Sequence, residues 1–145
     1  MTDIMHHFHL SRQQPSTFDA EQYIRILVSI AKADPDNGIV EYEYVKEKAA
    51  ELSIDIVPYW NRTGKNFAID QLRVSRFTAL TIIRDCLLLA TLDRSFSLEE
   101  KSRIYHYAGK MDIPRADVDH LESLLDEYRV LDTKWQRMVK GEGDY

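Results

Sequence analysis

Phe18–Ile54, FDAEQYIRILVSIAKADPDNGIVEYEYVKEKAAELSI, and Phe77–Ile113, FTALTIIRDCLLLATLDRSFSLEEKSRIYHYAGKMDI, read as two copies of one unit displaced by 59 residues. Nine positions coincide without a gap: Phe18/Phe77, Ala20/Ala79, Ile24/Ile83, Arg25/Arg84, Ala31/Ala90, Asp34/Asp93, Glu41/Glu100, Ala49/Ala108 and Ile54/Ile113. Unrelated segments of this length share roughly two or three identities. Apolar coincidences follow from helical periodicity alone. The informative ones are polar, because an arginine, an aspartate and a glutamate recur at the same places in both copies.

Each copy spells two helices. In the first, Tyr23, Ile26, Leu27, Ile30 and Ala31 follow the i, i+3, i+4, i+7, i+8 template of an amphipathic helix. It is predicted to start near Phe18 behind a Ser16 or Thr17 cap and to end at Asp34-Pro35. After the turn Pro35-Asp36-Asn37-Gly38, a second helix carries Val45, Ala49 and Leu52, and Pro58 closes the copy. The segment 59–66 reads as a connector with Tyr59 and Trp60 as packing anchors, and a further helix is predicted from Asn66 through Phe67, Ile69 and Leu72. The run 77–92 is apolar nearly all round and should be central to the core. Ser97-Leu98-Glu99-Glu100 spells a capping box for the helix holding Ile104, Tyr107, Ala108 and Met111. Pro114 opens a last helix whose buried stripe is predicted at Leu121, Leu124, Leu125 and Tyr128, running on through Leu131 and Trp135 to a stop at Lys140-Gly141. No segment alternates as a strand would. The expected class is all-α: a flexible arm at 1–16, then one helical domain at 17–145, its repeat halves about 18–58 and 77–113 plus the C-terminal helix.

Bulk properties exclude several functions. At 145 residues and 44% hydrophobic, the chain can bury the core of one globular domain. A net charge of −5 argues against a nucleic-acid binder, which carries a basic face. The single cysteine, Cys86, lies in an apolar run and reads as a small buried hydrophobe in a reducing, cytoplasmic compartment. Neither a signal-like apolar stretch at the start nor an 18-residue apolar run is present, so no transmembrane segment is expected.

The recurring acidic pair is the candidate site. Glu41 and Glu100 open their helices, where a carboxylate meets the positive end of the helix dipole. Asp34 and Asp93 close the preceding helices, where free carbonyls already concentrate negative charge, so each asks for a compensating cation. That charge is either a hard divalent ion such as calcium or magnesium, held by Asp34, Glu41, Asp93 and Glu100, or the recurring arginine, Arg25 and Arg84, in a structural ion pair. An EF-hand is excluded, because counting from Asp34 glycine falls at position five and Val45 at position twelve.

The strings Ile30-Ala31-Lys32-Ala33-Asp34 and Leu89-Ala90-Thr91-Leu92-Asp93, each followed by a short loop and a glutamate-led helix, resemble the tellurite-resistance family TerB. The TerB-like domain of the membrane-anchored DnaJ-type cochaperone DjlA shares the pattern. The resemblance spans about residues 18–128. It implies a bundle of about seven helices with internal pseudo-two-fold symmetry, and an acidic cluster proposed to bind divalent cations. It also implies a non-enzymatic cytoplasmic role in stress response, exercised through protein partners, some of them in the membrane. Two departures stand out: where the family commonly has glycine after the aspartate, this chain has Pro35 and Arg94, and Arg94 sets a positive charge beside Asp93.

The remaining features carry bland readings. His6, His7 and His9 sit in the arm, where ordering a flexible segment opposes metal binding. The chain has no HExxH, GxxxxGK[ST] or GxGxxG, and no nucleophile-and-base spacing, so no enzyme is expected. Tyr105, Tyr107, Tyr128 and Trp135 bias the second half toward aromatics, which serve a core when buried and a partner surface when exposed.

Overall fold

The computed structural model describes residues 19–33, 38–92 and 96–142. Among them are six helices and no strand: α1 (Ala20–Ala33), α2 (Ile39–Glu51), α3 (Ile56–Arg62), α4 (Arg76–Ala90), α5 (Leu98–Lys110) and α6 (Arg115–Val139). The all-helical expectation holds. Six helices are described against the about seven that the resemblance implies, and the middle of the chain departs from the sequence pattern.

Pro58, read as the close of the first copy, sits in the first turn of a further helix, α3, where its missing N–H removes no intrahelical bond. Asp55 caps that helix through its side chain, accepting from the Val57 N–H at 3.1 Å. Tyr59 and Trp60 therefore lie on a helix, and both still pack as anchors, Trp60 meeting Tyr42 edge-on at 5.0 Å. The helix predicted from Asn66 is absent. Its backbone is recruited by α5 instead: the Leu72 N–H donates to the Lys110 carbonyl at 2.8 Å, and the Phe67 carbonyl accepts from Arg103 and Tyr107. A helix there would have to give up those bonds.

α1 and α4 form the centre, and every other helix packs on one or both. α4 buries side chains around its whole circumference, Cys86 among them, as its composition predicts. α1 does so too, because Ile24 and Val28 are as buried as Tyr23, Leu27 and Ile30. Its neighbours α2, α3, α4 and α5 cover it on all sides, which no periodicity within α1 could announce.

Local geometry recurs at the 59-residue spacing. α2 and α5 are both 13 residues long and begin and end at matching positions. Each closes with a left-handed residue, Ser53 or Asp112, both at φ 59°. In each the following N–H reaches back to an alanine carbonyl, Ile54 to Ala49 and Ile113 to Ala108, at 2.8 Å. This is the Schellman pattern, which satisfies the last free carbonyls of a helix. α6 ends the same way, with Gly141 at φ 73° and Glu142 N–H donating to the Arg137 carbonyl at 2.9 Å.

α6 departs from its predicted stripe. Val118 and Leu125 are buried, Leu121 is partly buried, and Leu124 is 48% exposed. The line facing α4 and α5 runs through residues 118 and 125; at 100° per residue, Leu124 lies about a third of a turn away and Tyr128 about a fifth.

Candidate functional site

The two helix junctions were the expected site. Ser97 caps α5, its Oγ accepting from the Glu100 N–H at 3.0 Å while Glu100 Oε1 accepts from the Ser97 N–H at 2.9 Å. At α2, Glu41 Oε2 accepts from the Gly38 N–H at 2.9 Å, but glycine has no side chain to return the bond. Both glutamates are buried, at 5% and 2% exposure, folded back onto their own helix starts. Asp34 and Asp93 lie outside the described residues, as do Asp36, Asn37, Arg94 and the histidines of the arm. Among the described residues, no group of three or more His, Cys, Asp or Glu side chains could hold a metal ion.

The recurring arginines take different partners. Arg84 pairs with the next residue, Asp85, through Nε at 3.0 Å and a terminal nitrogen at 2.7 Å, both to Oδ1. Asp85 is fully buried, and its Oδ2 accepts from the Tyr23 hydroxyl at 2.7 Å, tying α4 to α1. Burial, then the nearby Asp85 carboxylate, push the phenols of Tyr23 and Tyr44 well above their ordinary value, and burial does the same to the Cys86 thiol. Arg25 takes other partners: its Nε donates to Thr63 Oγ1 at 3.3 Å and its guanidinium stacks 4.2 Å from the Phe67 ring centroid. Asp85 escaped the sequence reading, although two adjacent charges inside LTIIRDCLLLA were the available signal: charges in a fully buried helix must pair.

A second network fastens the irregular connector. Tyr107 is bonded to Ser29 on α1 and, with Arg103, to the Phe67 carbonyl. Lys32 reaches the end of α3, donating to the carbonyls of Trp60 and Thr63, the latter at 2.8 Å. Partial burial pushes its amine below the ordinary lysine value. A cation there meets the negative end of the α3 dipole.

Two surface features remain. A groove of about 590 Å³ lies between α4 and α6, floored by Leu88, Leu92 and Phe96 and rimmed by Glu122, Asp126 and Arg129. Arg129 closes one side, donating to Thr91 and pairing with Asp126 at 3.3 Å. Beyond it α6 continues with Val130, Leu131, Trp135, Met138 and Val139 each more than half exposed. No helix among the described residues is long and apolar enough to cross a membrane.

No protein-family model, curated protein or solved structure matches the chain.

Proposed function

We propose that this chain is a TerB-like, non-enzymatic helical module that works by docking a protein partner, with its acidic helix junctions serving the fold. The observation that carries the docking reading is the outer half of α6, a long helix that leaves aromatic and aliphatic side chains in water. Exposed apolar surface of that kind is costly unless something covers it, and tryptophan, tyrosine and methionine are the residues interfaces favour. The structural role of the junctions is supported by Glu41 and Glu100, whose side chains bond their own helix starts. The TerB-like duplication is supported by the turns at Ser53 and Asp112, alike in dihedral angle and hydrogen bonding. A cytoplasmic stress-response setting accompanies that resemblance.

Two measurements test this. A photo-crosslinking residue placed at position 135 in the full chain should capture a protein in cells far more efficiently than one at Glu43 on exposed α2. Equal capture from both positions overturns the docking reading. Melting should be unmoved by millimolar calcium or magnesium. A folded-state site at one hundred times its Kd would add about 2.7 kcal/mol, roughly 5–10 °C for a chain of this size. A rise of that size, abolished by Asp34→Asn with Asp93→Asn, would return the junctions to a cation-binding role.

A further inference from the structure

We infer that α6 pairs antiparallel with α6 of a second copy of this chain. The inference rests on the docking reading above and names the occupant. Along the outer side of α6, Leu121, Leu124, Tyr128, Leu131, Trp135 and Met138 recur at alternating spacings of three and four. That is the a/d seam of a coiled coil, sustained over two and a half heptads. From Leu124 outward it turns off the line of Val118 and Leu125 that faces the body of the domain, while Leu121 at its inner end stays partly packed on the core, so a second helix can lie along the outer turns without displacing α4 or α5. Four of its members, Leu124, Leu131, Trp135 and Met138, are 48–58% exposed.

The flanking charges choose the occupant and its direction. In the heptad frame set by that seam, Glu127 and Lys134 hold the g position and Asp132 holds e. In an antiparallel pair, g faces g. Setting Tyr128 against Leu131 of the second copy brings Glu127 against Lys134 of that copy, and by the two-fold axis Lys134 against its Glu127. Leu124 then meets Trp135 of the second copy, and Leu121 meets its Met138, so every layer of the seam is filled by one register. A parallel pair would set Glu127 against Asp132 of the second copy, like charge on like. The sequence of one helix thus complements itself reversed and repels itself in parallel.

The test is sedimentation of the full chain from micromolar to submillimolar concentration, with melting curves to show that each surface variant stays folded. The wild-type chain should show a reversible monomer–dimer equilibrium. Glu127→Lys alone and Lys134→Glu alone each place like charges at both symmetric contacts and should weaken the dimer roughly ten-fold or more. The double variant E127K/K134E restores both pairs and should restore wild-type association. Leu131→Glu, next to the two-fold axis, should leave a folded monomer. A wild-type chain that stays monomeric throughout overturns the inference. So does a dimer that E127K strengthens, which would be parallel, or one indifferent to all these changes. Failure here, with crosslinking from position 135 still efficient, removes the second copy and leaves a different protein as the occupant; failure of both removes the docking reading itself.

Discussion

α3 and α6 leave their preceding turns alike and part company within two turns. Each follows a Schellman turn built on a left-handed residue, Ser53 or Asp112, and each begins on an extended residue, Asp55 or Pro114. α3 then stops after seven residues, its end held by Lys32 on α1. α6 runs for 25, and nothing among the described residues covers its outer apolar face. In α3, Ile56 is buried and Tyr59 and Trp60 pack on the core, although Val57 beside them stays exposed. The second half has already filled that core through α4 and α5, so the outer turns of α6 are left to meet something else. Similar turns therefore lead into a short helix held at its end and a long one left open.

The same asymmetry appears inside the core, and there it has the largest consequences. Position 84 holds an arginine paired with a buried carboxylate, whereas position 25 holds one supported by a hydroxyl and an aromatic face. Asp85→Ala should destabilise the protein by about 3–5 kcal/mol, because it strips the carboxylate from a buried guanidinium and leaves the Tyr23 hydroxyl without its acceptor. Arg25→Met should cost only about 1 kcal/mol, since its side chain is partly solvated and its stack is replaceable by apolar contact. Chemical denaturation compares the two directly. Equal losses would mean that the arginines do equivalent work after all. The double variant Arg84→Met with Asp85→Leu should recover most of the loss, as paired apolar replacements of buried ions do.

What was legible in the sequence follows from the range of the forces involved. The central place of α4, the Ser97–Glu100 box and the stop at Lys140-Gly141 are local, written in one turn of residues, and the structure has them where the pattern says. Pro58 misled because proline breaks a helix interior and starts a helix equally well, and Asp55 three residues earlier is what decides. The absent helix after Asn66 failed for a non-local reason, since Arg103 and Tyr107, forty residues away along the chain, take its carbonyl. Of the candidate site, Glu41 and Glu100 were found but their bonds are those of caps, while Asp85 was hidden inside a run that composition reads as pure core. Of the four residues expected as the buried stripe of α6, Leu125 is buried, Leu121 and Tyr128 are partly buried and Leu124 is exposed. Which face of α6 meets the domain depends on where α4 and α5 sit, and that is not encoded in the spacing.

The helix junctions sharpen the comparison at a smaller scale. α5 has a complete capping box, and α2 has only the glutamate half. Ser97→Ala should therefore cost about 1 kcal/mol. Gly38 lies at φ −139° and ψ −160°, extended backbone that any residue adopts, so Gly38→Ser can supply the missing acceptor. The expected gain is a few tenths of a kcal/mol, about 0.3, because glycine is itself a fair N-cap. Thermal unfolding of the two variants against wild type reads both signs. A loss at Gly38→Ser would show that the approach to α2 is fixed by something other than capping.

Another effect of a few tenths of a kcal/mol separates the two left-handed turns. A side chain at φ near +60° costs roughly 1–2 kcal/mol against the right-handed region, and glycine escapes that cost while losing more backbone freedom on folding. The two terms nearly cancel, so Ser53→Gly should stabilise by about 0.5 kcal/mol. Asp112→Gly should gain less. Aspartate tolerates the left-handed region better than serine, and the substitution also removes the bond from Gln71 Nε2 to Asp112 Oδ2, 3.2 Å long and exposed. Denaturant midpoints measured side by side resolve a difference of this size, since each variant adds one glycine to the unfolded chain. A larger gain at 112 than at 53 would mean that the Gln71 contact contributes nothing and that the second turn, not the first, is the more strained of the two.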